Sequence, residues 1–319
     1  MSQDILVVAE HLNGAIADVT YEMLGKGKEL ASATGGALIC AVLGSGVDPS
    51  SLGCADKILN VDHPGLADFN PEAHSTVLSS VVTTAAPRLT LVANTSMGMD
   101  LAASLSVKND LPLVAYGLNV AIEDGKVIAT SQLYGGKICA ESELEGDSVI
   151  VSVLAGSFPA AAGRMDGSPA VETVEAPAAV TDTRLRFTGL IEPEAGDVDI
   201  TQQDILVGVG RGIGSDEHLP MMEQLAKALG GTVAASRPIV DNKWLPKTRQ
   251  VGKSGLKVTP KIYVALGISG APEHIEGMKD AELIVAINTD ETAPIFEFAH
   301  YGTTEDLFDV VPALIEKLT

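Results

Sequence analysis

ILVGVGRGIGSDEH, residues 205–218, is an apolar run followed by alternating glycines. A short run of Ile, Leu and Val that ends in glycine is typical of a buried parallel strand entering a tight turn. The glycines from Gly208 to Gly214 alternate strictly, so they lack the Gly-x-Gly-x-x-Gly spacing of a dinucleotide-binding turn. Arg211 stands where the backbone of such a turn would approach a pyrophosphate. We therefore expect a strand end that presents Arg211 to a ligand, with glycines that allow close packing around it.

The composition is that of an α/β protein. Of 319 residues, 46% are hydrophobic but only 4% are aromatic, so small and β-branched side chains build the interior. The net charge of −21 argues against a nucleic acid as a partner. The cysteines have no metal-like spacing, and we expect buried, reduced thiols at all three positions: Cys40, Cys54 and Cys139.

The N-terminal sequence MSQDILVVAEH enters a strand without the basic and apolar regions of a signal peptide. No uninterrupted apolar run reaches the length of a membrane span. We expect a cytoplasmic protein that is not inserted in a membrane.

Strands and helices alternate in both halves of the chain, which predicts parallel sheets. In the first half we predict strands at 5–9, 37–43 and 89–93, and helices at 19–34, 70–86 and 100–108. Four antiparallel strands are predicted to follow, at 118–123, 126–132, 137–141 and 148–154. In the second half we predict strands at 205–209, 232–235, 261–266 and 283–287, and helices at 216–229, 271–278 and 305–318. Ser215 is the predicted N-cap of the first of these helices.

Between residues 156 and 201 this alternation gives way to a Pro-, Ala- and acid-rich sequence that is typical of a domain boundary. We therefore predict an N-terminal α/β domain at 1–187, a linker at 188–202 and a C-terminal domain at 203–319. Each domain is expected to be a mostly parallel, doubly wound sheet, and the second is expected to be flavodoxin-like or Rossmann-like.

Ligands of open parallel sheets bind beyond the carboxyl ends of the strands. The four predicted strand ends of the C-terminal half carry small, polar and basic residues, and we expect them to share one cleft. In chain order they are Arg211, then Ser236 and Arg237, then GISGAPEH at 267–274, then Asn288 and Thr289.

Residues 237–261 hold seven basic side chains and one acidic side chain, a concentration of positive charge in an acidic protein. Arg237, at a strand end, is expected to contact an anionic ligand. Three of the lysines are expected on a solvated face: Lys243, Lys247 and Lys257. The small-residue loop QVGKSG at 250–255 could hold an anion or a heteroaromatic edge, although it lacks the spacing of a P-loop.

The sequence GISGAPEH predicts a strand that leads into Ser269 and Gly270, followed by a helix beginning near Pro272. The N–H groups at that helix start could receive a phosphate or an electron-rich carbonyl. His274 falls in the first turn, so we expect it near the same ligand group.

Taken in order, several stretches closely resemble the flavin domain of electron-transfer flavoprotein alpha subunits. The stretches are GRGIG at 210–214, ASRPIVD at 235–241, WLPKTRQVGKSG at 244–255, KIYVALGISGAPEHIEGMKDAELIVAINTD at 261–290, APIF at 293–296 and YGTTEDLFDVVPAL at 301–314. The resemblance covers residues 205–319. It is looser in the N-terminal half, where it rests on ILVVAEH at 5–11, on DLA at 100–102 and on residues 134–137.

The resemblance implies an electron carrier that forms a heterodimer with a beta subunit through its N-terminal domain. It implies FAD in this subunit and AMP, or a second FAD, in the beta subunit. Electrons would pass from dehydrogenases, such as acyl-CoA dehydrogenases, to a membrane quinone reductase or another acceptor. The FAD contacts implied by position are Arg211, Ser236, Arg237, Val251, Gly252, Lys253, Ser254, Ser269, Gly270, Ala271, Pro272, Glu273, His274, Asn288, Asp306 and Leu307.

The resemblance also implies a role for several of these residues. Ser254 would bond the flavin N5 edge, Arg237 would stack near the isoalloxazine ring, and His274 would face the pyrimidine carbonyl. Asn288 and Asp306 would suit the adenosine end. No residue is expected to act as a nucleophile or a general acid.

The chain departs from the family pattern at Lys253 and Glu273, where the family usually has neutral glutamine, and at Pro272, where it usually has isoleucine. At Ser254 the family usually has threonine, and serine keeps the hydroxyl group. We hypothesise that Lys253 and Glu273 form a compensating pair that alters the flavin potential.

Three other functions remain open on the sequence alone. The first is an electron-bifurcating flavoprotein that uses NADH and carries a second FAD in the beta subunit. The second is an NAD-dependent oxidoreductase, which the alternating glycines and the lack of a ribose-binding acidic residue disfavour. The third is a nucleotide-binding subunit that has lost its flavin, which the retained flavin contacts disfavour.

Overall fold

The computed structural model describes residues 2–190 and 198–318. The chain divides into two compact units, residues 1–189 and 190–319. The predicted linker at 188–202 includes residues 191–197, which lie outside the described residues. Within the described ranges, no helix combines the length and the apolar character needed to cross a bilayer.

The first unit is built on a parallel sheet with an antiparallel extension at one side. Its strands are β1 (Ile5–Val8), β2 (His11–Leu12), β3 (Ala15–Ile16), β4 (Leu38–Gly44), β5 (Lys57–Asp62), β6 (Leu89–Ala93), β7 (Leu113–Glu123), β8 (Lys126–Leu133), β9 (Ile138–Leu144), β10 (Val149–Val153) and β11 (Ala170–Thr173). Its helices are α1 (Asp18–Thr34), α2 (Pro71–Ala85) and α3 (Ser96–Asn109). The main sheet has the order β11-β5-β4-β1-β6-β10-β7-β8-β9 among the described residues.

The prediction that residues 148–154 form an antiparallel strand is wrong. β10 lies between β6 and β7 and is parallel to both. All five of its residues, Val149 to Val153, are buried. A strand covered on both faces reads as a continuous apolar run without alternation, so the run itself was the signal of a central parallel strand. The antiparallel pairings of β7 with β8 and of β8 with β9 are as expected.

Two strands of the main sheet of the first unit were missed, and one cysteine is placed differently from the expectation. β5 and β11 pair in parallel with each other, and β5 also pairs with β4. Each residue of β11 is exposed, so it carries no apolar pattern to read. Cys40 and Cys54 are buried, but Cys139 is exposed because it lies on the edge strand β9. The expectation of a buried thiol at Cys139 is therefore wrong.

The second unit is a parallel sheet with helices on both faces. Its strands are β12 (Ile205–Val209), β13 (Thr232–Ala235), β14 (Ile262–Leu266), β15 (Leu283–Ile287) and β16 (Tyr301–Thr303), and its helices are α4 (Leu219–Leu229), α5 (Arg237–Asp241), α6 (Pro272–Met278) and α7 (Leu307–Leu318). The order is β13-β12-β14-β15-β16, with every adjacent pair parallel. Consecutive strands therefore diverge to the two sides of β12, which makes the gap between β12 and β14 a topological switch point.

Successive side chains of β12 point to opposite faces of the sheet, and each face packs against a separate part of the core of the second unit. Leu206 packs with Tyr263 and the residues of α6 on one face, while Val207 and Val209 pack with α4 and α7 on the other. The predicted helix at 216–229 is a short 3-10 turn followed by α4. Ser215 caps it as expected, since its hydroxyl accepts the N–H of Glu217 at 3.3 Å.

Candidate functional site

A cleft of about 790 Å³ lies at the carboxyl ends of β12, β13 and β14. Its walls are the turn after β12, the start of α5, the loop at 251–254, and the segment from the end of β14 into α6. The volume falls within the range of about 300–1,000 Å³ that is usual for ligand sites. The position, beside the switch point of the sheet, is where doubly wound folds bind their ligands.

The structure brings most of the predicted ligand contacts into this one cleft. The predicted residues that line it are Arg211, Ser236, Arg237, Val251, Gly252, Lys253, Ser254, Ser269, Ala271, Glu273 and His274. Residues that the prediction did not include also line it: Gly210, Gly212, Pro238, Asp241, Gly267 and Ile268.

The remaining predicted contacts do not line the cleft. Asn288 donates its side-chain N–H to the Ile268 carbonyl at 2.9 Å, so it holds a residue of the cleft wall in place. Gly270 adopts a φ of +86°, and a Cβ there would lie 2.3 Å from the Ile295 nitrogen. Pro272 begins α6. At the start of α7, the Asp306 carboxylate accepts the N–H of Phe308 at 2.9 Å, and Leu307 is buried in the core.

The alternating glycines let two turns of the sheet pack against each other. A Cβ at Gly210 would lie 2.3 Å from the Gly267 carbonyl oxygen, and a Cβ at Gly212 would lie 2.6 Å from the Gly267 Cα. These neighbours are backbone atoms, which cannot move aside as a side chain can. The turns after β12 and β14 therefore meet at van der Waals contact, and Arg211 is left on the cleft side of that junction.

Gly208 makes room for a side chain rather than for a turn. A Cβ at this position would lie 2.2 Å from the hydroxyl oxygen of Tyr263. Tyr263, on β14, is fully buried, and its Oη lies 3.0 Å from Nε2 of His274. Gly208, the first of the alternating glycines, thus leaves room for a buried tyrosine that contacts His274 in the cleft.

His274 is buried beneath the cleft, with only 7% of its surface exposed. Burial lowers the pKa of His274 to about 4 because the charged imidazolium loses its hydration, and the nearby Val251 carbonyl opposes this shift only in part. The ring is therefore neutral at pH 7. Its Nδ1 is a buried atom with no hydrogen-bond partner among the described residues.

A buried glutamine donates a hydrogen bond to the Ser254 side chain. Gln250 is 3% exposed, and its Nε2 donates to the Ser254 hydroxyl oxygen at 2.9 Å. Because this oxygen accepts the bond from Gln250, the serine proton remains available to an acceptor in the cleft. The next residue, Lys253, donates its backbone N–H to the Glu273 carbonyl at 2.7 Å, which ties the loop to α6. A side-chain pair between Lys253 and Glu273 stays a prediction.

Of the seven basic residues at 237–261, two line the cleft, namely Arg237 and Lys253. The side chain of Arg237 is 68% exposed, and its 3.3 Å pair with Asp241 is a weak surface contact. Other members of the tract make structural contacts elsewhere. Lys257 pairs with Asp280 at 2.9 Å, and Lys261 pairs with Asp204 at 2.8 Å.

The cleft offers donors to a polar ligand. The Ser236 hydroxyl is also buried without a partner in the part of the chain that the structure describes. Buried polar atoms normally have a partner, so Ser236 Oγ and His274 Nδ1 fit a ligand that completes their hydrogen bonds. Together with the Ser254 hydroxyl and the Arg211 and Arg237 guanidinium groups, they suit a heteroaromatic ring with carbonyl groups and an attached anion.

Two family models match the chain. The "Electron transfer flavoprotein domain" matches residues 5–179, and the "Electron transfer flavoprotein FAD-binding domain" matches residues 199–279. The second match spans the cleft-lining residues, from Gly210 to His274.

Curated relatives match over nearly their full length. Protein FixB of Clostridium saccharobutylicum is 36% identical over 98% of this chain and 95% of its own. Electron transfer flavoprotein subunit alpha of Bacillus subtilis is 30% identical over 99% of this chain and 98% of its own. Acryloyl-CoA reductase electron transfer subunit beta of Anaerotignum propionicum is 33% identical over 99% of this chain and 95% of its own. With both domains matched in order, the chain belongs to the electron transfer flavoprotein alpha subunit family.

Proposed function

We propose that the chain binds FAD in the cleft beside β12 and β14 and serves as the alpha subunit of a heterodimeric electron carrier. The observation that carries the proposal is the placement of three hydrogen-bonding groups at one site. Ser236 Oγ and His274 Nδ1, which are buried and form no hydrogen bond with the described residues, line the same cleft as the Ser254 hydroxyl, whose oxygen already accepts from Gln250. Family membership favours this function over an NAD-dependent oxidoreductase.

Bound FAD would supply the ring that accepts and releases electrons. The chain's own residues would bind that ring and adjust its electrostatics. Ser254 would donate its hydroxyl proton to a ring nitrogen at the cleft, and neutral His274 would meet a ring carbonyl. Arg237 is exposed and loosely paired, so its guanidinium could lie against the ring and favour negative charge there.

The adenosine half is proposed to extend from Arg211 toward Asn288 and Asp306. Arg211, at the end of β12, would contact a phosphate group. Asn288 and Asp306 follow β15 and β16 at the carboxyl edge of the same sheet, which is the direction in which a long ligand would continue. In the structure both side chains hold local backbone groups, so their contact with the adenosine is a prediction that a ligand complex must test.

We propose a beta subunit as the partner, with AMP bound in it. Dehydrogenases are the proposed donors, and an acceptor oxidoreductase is the proposed electron sink. A cytoplasmic location and a role in fatty acid β-oxidation also stay predictions. The bifurcating version of the function would place a second FAD in the beta subunit, so the nucleotide content of the heterodimer separates the two versions.

The absorption spectrum of the full chain, purified with its beta subunit, tests the proposal. We expect flavin bands in the blue and near-ultraviolet, with FAD and AMP released on denaturation. Replacement of Ser254 by Ala should weaken FAD binding about three- to tenfold, the value of one hydrogen bond, while Ser254→Thr should retain it. A colourless complex with native circular dichroism, even after incubation with FAD, would contradict the proposal.

A further inference from the structure

Tyr263 and His274 form a buried pair beneath the cleft. Tyr263 Oη lies 3.0 Å from His274 Nε2, with the two ring planes tilted by 59°. Tyr263 is fully buried on β14, and His274 lies on α6, so the contact joins the sheet to the helix. Among the described residues, Nε2 is the polar side-chain atom that the structure pairs with this hydroxyl.

The direction of this hydrogen bond follows from the surroundings of the two groups. Burial raises the pKa of Tyr263, so the phenol keeps its proton, and burial lowers the pKa of His274, so the imidazole is neutral. A buried phenol proton left without an acceptor is costly, and Nε2 is the acceptor at hand. If the phenol donates to Nε2, the ring must carry its own proton on Nδ1.

We propose that Tyr263 is a positioning residue that fixes His274 as its Nδ1–H tautomer and so makes His274 a neutral hydrogen-bond donor to the cleft. Among the described residues no hydrogen bond of normal geometry satisfies the buried Nδ1, although the Val251 carbonyl lies near the ring, and His274 is part of the cleft lining. The ligand group that matches an N–H donor is a carbonyl oxygen. The identity of that ligand as FAD rests on the proposed function, whereas the tautomer itself does not.

Gly208 leaves the space that the Tyr263 hydroxyl of this pair occupies. The space that a Cβ at 208 would occupy is taken by the Tyr263 hydroxyl, which would lie 2.2 Å from it. Any larger residue at 208 would push the hydroxyl away from Nε2. Gly208 lies within β12, before the turn that follows the strand, so its role is to leave room for this hydroxyl.

The tautomer can be read directly from long-range ¹H–¹⁵N spectra of the ¹⁵N-histidine-labelled full chain, purified with its beta subunit and freed of flavin. The signals of His274 are identified by their loss in His274→Asn. We expect the Nδ1–H pattern in the wild type. In Tyr263→Phe, which keeps the ring and loses the hydroxyl, we expect that pattern to be lost, and Gly208→Ala should act in the same way by displacing the hydroxyl. Tyr301→Phe, at a residue that is 69% exposed, is the matched control and should leave the pattern unchanged.

A merely structural tyrosine would affect stability but would leave the His274 nitrogen shifts of the folded protein unchanged. An Nε2–H pattern in the wild type, or identical His274 shifts in wild type and Tyr263→Phe, would overturn the proposal. FAD titration then tests the donor role: Tyr263→Phe should bind FAD about three- to tenfold more weakly, and equal affinity would overturn that part. A wild type that binds no FAD would overturn the proposed function while the tautomer result still decides the role of Tyr263.

Discussion

The charge state of His274 follows from its burial and makes the stability of the second unit depend on pH. The pKa of His274 is about 4 in the folded chain and about 6.5 in an unfolded one, so the unfolded state takes up the proton first as the pH falls. Stability from this residue is therefore fully present above about pH 6.5 and is lost progressively toward about pH 4. The loss reaches at most about 3 kcal/mol, since each pKa unit corresponds to about 1.4 kcal/mol.

This pH dependence can be measured by urea unfolding between pH 7 and pH 4.5, followed by the fluorescence of Trp244, the single tryptophan, which packs in the second unit. His274→Gln should flatten the decline of the unfolding free energy. The matched control is His74→Gln. His74 also has a pKa lowered to about 4 by burial, but it lies on α2 of the first unit. An unaltered pH profile in His274→Gln would contradict the assignment.

Substitutions at Lys253 and Glu273 test whether exposed charges around the cleft change the midpoint potential of the bound flavin. Both line the cleft, and the bond from the Lys253 N–H to the Glu273 carbonyl joins the loop of Lys253 to α6. Lys253→Gln should lower the midpoint potential because a positive charge favours the reduced ring, and Glu273→Gln should raise it. Shifts of about 10 mV are expected for solvent-screened charges, with the double variant close to the wild type. Unchanged potentials in all three variants, measured by redox titration, would sink the hypothesis.

The contact between the turns after β12 and β14 shapes the cleft. Gly210 has a φ of −113°, which any residue can adopt, so the requirement for glycine there is steric. Gly210→Ala would place a Cβ 2.3 Å from the Gly267 carbonyl and should cost about 1–3 kcal/mol of unfolding free energy, with weaker FAD binding.

Gly302→Ala is the comparison for that substitution. Its Cβ would lie 2.7 Å from a ring atom of Phe296, a side chain that can turn aside. Chemical denaturation of both variants should show the larger loss at position 210. Equal losses of unfolding free energy at the two positions would contradict a steric requirement for glycine at position 210.

The sequence predicted best those elements whose own residues carry a recognisable pattern. β12 and β14 were predicted nearly to the residue because a short apolar run ending in glycine marks a buried parallel strand. The direction of β10 was mispredicted because its sequence neighbours are antiparallel, and pairing is a property of the whole sheet. β11 was missed because its exposed residues have no apolar pattern.

The residues that line the cleft could be predicted from the sequence, but the buried residues that hold the lining side chains in place could not. Strand ends and the family resemblance identified eleven of its residues, because ligand contacts cluster at one edge of a parallel sheet. Gln250 was named only as part of the QVGKSG loop, and Tyr263 was not singled out, since neither a buried glutamine nor a strand tyrosine indicates its own role. Their roles depend on the side chains they meet, Ser254 and His274, which come close only in three dimensions.

The ligand site belongs to one of the two units of the chain. The cleft is lined by residues between Gly210 and His274, all within the unit of residues 190–319. The first unit has its own cores and its own parallel sheet. This separation agrees with the family match, in which the "FAD-binding domain" falls on residues 199–279. The chain as a whole carries a net charge of −21, so the basic residues of the cleft are a local feature.

The FAD content of a variant with a filled cleft shows whether FAD occupies this site. Ala271 is exposed and lines the cleft, so Ala271→Trp should fill the site without disturbing the core. Gln224→Trp, on the exposed face of α4, is the matched control. With each chain purified with its beta subunit and saturated with FAD, we predict stoichiometric FAD in wild type and Gln224→Trp, and FAD lost from Ala271→Trp at unchanged circular dichroism. Full FAD binding by a folded Ala271→Trp would contradict the account.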